Sequence, residues 1–133
     1  MKICSAIREA TMTPSQKTVS MNFESSPELR MKAVGSSQKE FEDIANVLVC
    51  LRAVKILQYG ESRLELHNDE HRDLAMAFSD IHRKYIRLEK QVWSPDGDSE
   101  LPIVETLSDL AVYTIQAIQI LGRITNARAH NRG

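Results

Sequence analysis

Glu105 and Asp109 stand four residues apart in a stretch with helical periodicity. That spacing puts both carboxylates on one helix face, one turn apart. Such a pair suits a hard cation such as Mg²⁺, which takes one or two carboxylates and completes its shell with water and substrate phosphates. It equally suits a solvated face near a helix N-terminus, where acids complement the dipole. Earlier in the chain Arg83, Arg87 and Lys90 share a face, with Lys84 beside them. A cationic row of this kind can hold phosphate oxygens. Asp80 and Lys84, also four apart, allow plain intrahelical pairing instead.

Other chemical signatures are weaker. His67 and His71 enclose Asn-Asp-Glu, so the glutamate sits next to the second histidine, whereas a zinc-protease helix places it after the first. Cys50 lies in an apolar run and reads as a core residue. Trp93 reads as a packing anchor at a helix end. A glycine-rich phosphate loop and a Gly-x-Ser-x-Gly elbow are both missing.

The elements that must position these groups are helical. Phe41, Ile44, Leu48, Leu51, Val54 and Leu57 recur at steps of three and four, predicting a helix over 38–59 that starts at Ser36 or Ser37 and stops at Gly60. Leu74, Phe78, Ile81, Tyr85, Leu88 and Val92 predict a second over 69–93, capped by Asn68 or Asp69. The run 94–98, Ser-Pro-Asp-Gly-Asp, reads as a turn. A third helix is predicted over 102–125, with Pro102 in its first turn. Its stripe is broad: Val104, Leu107, Leu110, Ala111, Thr114, Ile115, Ile118, Leu121 and Ile124, with Val112, Ala117 and Ile120 outside it. A helix apolar on more than one side calls for more cover than two neighbours give, so oligomerisation is expected. Residues 1–37 are rich in Ser and Thr, with Pro14 and Pro27 among them, and read as a partly ordered arm; residues 127–133 read as a frayed polar tail. The fold class is therefore all-α: a bundle of three long helices over 38–126, completed by a homodimer or homotetramer.

Composition narrows the function classes. The 133 residues suit one domain, and 17 Lys and Arg against 18 Asp and Glu give a net charge of -1. Phosphate neutralisation along nucleic acid needs a clear cationic excess, so nucleic acid is not an expected partner. With two cysteines there is no disulfide framework or four-cysteine zinc site. No apolar run spans a membrane and the N-terminus lacks a secretory apolar core, so the expected compartment is the cytoplasm.

Three short segments together resemble a known family. Lys55, Tyr59, Gly60 and Ser62 follow its K…YG.S pattern. Ile81, Lys84, Arg87 and Leu88 follow its I..K..RL pattern, and residues 105–113, Glu-Thr-Leu-Ser-Asp-Leu-Ala-Val-Tyr, look like its DTL.DLA.Y segment. The order and distances are compatible over about residues 40–124. The family is the nucleotide-modification-associated domain 1 group of bacteriophages and bacteria, similar to the MazG-like all-α nucleoside triphosphate pyrophosphohydrolases. The resemblance implies cleavage of a nucleoside triphosphate to a monophosphate and pyrophosphate with Mg²⁺, or Mn²⁺, in the host cytoplasm if phage-encoded. It implies Glu105 and Asp109 as catalytic metal ligands with Asp80 in support, Lys84 and Arg87 on the phosphates, and Lys55 and Tyr59 beside the base or sugar. The chain departs from the pattern where Gln58 replaces an acid, where Glu105 replaces Asp, and where Glu40 and Asp43 stand in for a fuller acidic helix. The alternative, in keeping with that smaller acid set, is a non-catalytic phage protein that sequesters a nucleotide or signal, or docks on a host protein.

Overall fold

The computed structural model describes residues 2–59, 69–93 and 100–132. Among them there are six helices and no strand: α1 Lys2–Thr11, α2 Pro14–Ser25, α3 Pro27–Val34, α4 Ser36–Tyr59, α5 Glu70–Trp93 and α6 Glu100–Arg132. The all-α expectation holds. The chain divides into two compact units, residues 1–47 and 48–133.

In the first unit the expected partly ordered arm is three short helices. Thr13 caps α2 through a reciprocal pair: Gln16 N donates to its hydroxyl, and its own N–H donates to the Gln16 side chain. Ser26 caps α3 by accepting from Leu29 N. Pro14 and Pro27 follow these caps at the first helical position, where a missing N–H leaves nothing unpaired. The Thr13-Pro14 and Ser26-Pro27 dipeptides of the arm are thus helix starts. Gly35 adopts φ 75, a left-handed conformation that a side chain would strain, and separates α3 from α4.

In the second unit the main packing is α5 against α6. Three contacts fix an antiparallel register. Gln91 meets the Pro102 carbonyl, Lys84 meets Asp109, and Ala77 packs with Ala117 and Ile120. Position 91 falls by seven to 84 and again to 77 on α5, while 102 rises by seven to 109 and then by eight to 117 on α6, close to the repeat that keeps two antiparallel helices facing each other. Asp69 caps α5 by accepting from Arg72 N at 3.1 Å, a contact of about 1 kcal/mol. Pro102 lies in the first turn of α6, as expected, and its carbonyl also accepts from the Thr106 hydroxyl at 3.0 Å.

Which face is buried differs from the expectation. On α5 the buried residues are Asp73, Ala77, Asp80, Lys84 and Gln91, about a quarter turn from the predicted stripe. Phe78, Tyr85 and Val92 remain roughly half exposed. On α6 Val112, Ala117 and Ile120, first read as extras, are buried, while Val104, Leu107, Ile115 and Leu121 are exposed. The seam between the helices is lined by polar groups, with the Lys84–Asp109 ion pair at its middle, a pattern apolar periodicity does not reveal. α5 and α6 form a packed pair with a polar middle and a small apolar core, and α4 is tied to α6 through Lys55 and Arg52. Trp93 and Cys50 are exposed, against the packing roles expected of them. The expected frayed tail from 127 continues α6 to Arg132. Gly60 and the 94–98 turn lie outside the described residues.

Candidate functional site

The charged layer of the seam is the candidate site. Lys84 sits on the α6-facing side of α5, and Asp109 faces it at the equivalent level of α6. Lys84 Nζ donates to Asp109 Oδ2 at 2.8 Å, and Lys55 Nζ, from α4, donates to Oδ1 at 2.7 Å. Lys84 and Asp109 are both buried, at 7% and 8% exposure, whereas the Lys55 side chain keeps about a third of its surface in solvent. Both carboxylate oxygens therefore carry a charge-assisted bond, the arrangement needed for a buried charge to persist.

Burial pushes the Asp109 carboxyl up, but the bonds from Lys55 and Lys84 outweigh it and hold the group below its usual range. The bond to Asp109 raises the Lys55 ammonium against the opposing effect of burial. Asp109 therefore stabilises the fold above the unfolded carboxylate pKa, and this is lost as pH falls through its lowered folded value. Lys55 contributes below its ordinary pKa of 10.5, and this is lost as pH rises through its raised folded value. The tie between α4 and α6 is therefore complete across the whole neutral range.

Around this triad stand further polar groups. Asp80, one turn before Lys84, is 1% exposed and accepts from Arg83 Nη2 at 3.2 Å. Tyr113, one turn after Asp109, is half-buried, and burial together with the anions Asp80 and Asp109 raises its phenol. Arg52 Nε donates to Gln116 Oε1 at 3.3 Å, a second tie between α4 and α6. A cleft of about 10 Å³ lies between Leu51, Arg52, Lys55, Asp109, Val112 and Tyr113, room for one water at most. A larger hollow, about 610 Å³, belongs to the first unit and is lined by Ser15, Val19 and Phe23 among others, none of them an expected site residue.

The expected site residues divide accordingly. Lys55, Lys84 and Asp109 come together, with Asp80 one turn away on α5. Glu105 is exposed, close enough to favour the charged form of Lys55 but making no hydrogen bond among those described. Arg87 is exposed on another part of α5. Tyr59 ends α4, and its side chain, with Gly60, Ser62 and His67, lies outside the described residues. Arg52, Thr106 and Gln116 were not anticipated. Gln116 carried a signal, as a polar residue inside the apolar run 110–121, and so did Arg52, three residues before Lys55 on the same face.

As arranged, the three carboxylates do not fit a Mg²⁺ or Mn²⁺ ion. Both Asp109 oxygens hold ammonium groups, and the Asp80 carboxylate holds a guanidinium. Among the described residues no three His, Cys, Asp or Glu side chains stand close enough to share an ion. What the layer offers is cationic: each ammonium has three donors and gives one to Asp109. No described helix is long and apolar enough to cross a membrane. Comparison of the chain with protein-family models, curated proteins and solved structures gave no match.

Proposed function

We propose that the chain binds a nucleoside triphosphate or a related nucleotide, with Lys55 and Lys84 engaging its phosphates. The observation that carries this reading is the convergence of two ammonium groups, from α4 and α5, on one carboxylate of α6. Two lysines held about a carboxylate already make the geometry a phosphate oxygen needs, and a phosphate exceeds a carboxylate in charge and in acceptors. The cleft is too small for a nucleotide as it stands, so entry requires the exposed end of Lys55 to swing from Asp109 toward the ligand. Arg83, half exposed beside Asp80, adds a cation at the edge. The order of the three motifs, which resembles the phage nucleotide-modification-associated group, points to the same ligand class. In this form the protein is the sequestering, non-catalytic member of the two alternatives.

Pyrophosphohydrolysis is the second reading. It is favoured by Glu105, whose carboxylate lies one turn from Asp109 on α6 and is exposed. One experiment separates the two. The purified chain is incubated with ribo- and deoxynucleoside triphosphates and Mg²⁺ or Mn²⁺, and pyrophosphate and monophosphate are measured beside thermal shifts with and without chelator. The binding reading predicts a rise in melting temperature that survives chelation, because a ligand preferring the folded state stabilises it, and no pyrophosphate. Metal-dependent release of pyrophosphate establishes the hydrolase; no shift and no product removes both.

A further inference from the structure

The packed pair leaves one long apolar surface uncovered. Val104, Leu107, Ala111, Thr114, Ile118 and Leu121 follow each other at alternating steps of three and four, the spacing of a coiled-coil seam. They lie on the side of α6 away from the positions that meet α5 and Lys55. Val104 is 55% exposed, Leu107 47%, Ile118 38% and Leu121 45%, with Ile115 beside them at 59%. By contrast the buried apolar residues are Ala77, Val112, Ala117 and Ile120. More large apolar side chain is left on the outside of this helix than is buried beneath it, the reverse of a self-sufficient unit.

We infer that this face of α6 pairs with the same face of a second copy, the two helices running antiparallel about a two-fold axis between Ala111 and Thr114. Three features select that occupant. The seam spans more than two heptads without interruption, so the surface that fits it is another seam of equal length, and a second copy carries one. Its most exposed members, Val104, Leu107, Ile115, Ile118 and Leu121, are all large aliphatic side chains, the kind that the core of a dimer interface buries. Charge sets the direction. The acids of α6, Glu100, Glu105 and Asp109, all precede its bases, Arg123, Arg128 and Arg132. Antiparallel pairing brings Glu100 within a turn of Arg128 of the other copy at both ends, whereas parallel pairing would put like charges together. The inference is independent of the nucleotide, since the seam faces away from Lys55.

Sedimentation of the full chain over about 1 to 100 µM tests it. The expected result is a monomer–dimer equilibrium. Ile118→Glu, placing charge at the seam centre, weakens it at least a hundredfold while the helical circular dichroism is kept. Glu100→Arg and Arg128→Glu each weaken it severalfold, and the combined variant, which restores the cross-pairs, recovers most of the loss. These two exposed changes keep the test valid should Ile118→Glu fail to fold. A wild-type chain that stays monomeric throughout overturns the inference, as does a dimer indifferent to Ile118→Glu or a combined charge variant no better than the single ones.

Discussion

Replacing Asp109 with asparagine lowers the stability of the protein by about 3 kcal/mol at neutral pH, whereas Glu105→Gln, one turn away, changes it by less than about 0.5 kcal/mol. The two carboxylates look equivalent in the sequence. They differ because Asp109 is buried and receives both lysines, while Glu105 stands in solvent. Asparagine keeps the shape but loses the charge, so the Lys84 ammonium, 7% exposed, loses its counter-ion in the seam. That uncompensated cation accounts for most of the loss. Urea unfolding at fixed chain concentration measures it. The same variant should lose the acid dependence that Asp109 imposes. Because the folded carboxyl lies below its ordinary range, wild-type stability should fall as pH drops below about 4, and the difference between the two proteins should shrink there. Equal stabilities at pH 7 would mean that the Lys55–Asp109–Lys84 layer does not hold the helices together.

The second large effect is on ligand binding. Lys84→Met should weaken nucleoside triphosphate binding at least tenfold, the equivalent of about 1.4 kcal/mol and the lower end for a hydrogen bond to a charged group. Methionine matches the length of the lysine stem and removes only its charge and donors. Asp109 keeps its bond to Lys55 in that variant, so the fold should persist. Lys90→Met, at an exposed position of the same helix, serves as the control and should leave affinity unchanged apart from a small salt-dependent term. Isothermal titration in the presence of chelator reads both. Equal affinities for the wild type and Lys84→Met would remove the buried lysine from the phosphate site.

The helices themselves were legible. The expected spans 38–59, 69–93 and 102–125 fall inside or within a residue of α4, α5 and α6. The reason is local: caps, turn residues and three-four periodicity act within a few residues of chain. What was not legible is what the helices face. Of the expected apolar stripe of α5, Leu74 and Ile81 pack against the core while Phe78 and Tyr85 face outward, and the buried positions are Asp73, Ala77, Asp80, Lys84 and Gln91. The seam charges are paired, Lys84 across to Asp109 and Asp80 to Arg83 on its own helix, and such pairings leave no apolar period. The candidate site shows the same limit. Lys84 and Asp109 were singled out separately for their chemical type, but proximity on one helix suggested Glu105 as the partner of Asp109. Its actual partners come from 54 and 25 residues away. Thr13-Pro14 and Ser26-Pro27 were legible in principle: a hydroxyl residue before proline is a helix start, and composition alone hid it.

The Lys55–Lys84 pair as the phosphate-binding element is most directly tested by following lysine side-chain ammonium signals by nuclear magnetic resonance, at low temperature and mildly acidic pH, while a nucleoside triphosphate is added to the wild-type chain. The account predicts that the resonances assigned to Lys55 and Lys84 shift together and saturate at one equivalent, with the exposed lysines little changed. Saturable binding that leaves those two signals in place, or no saturation at all, would contradict it.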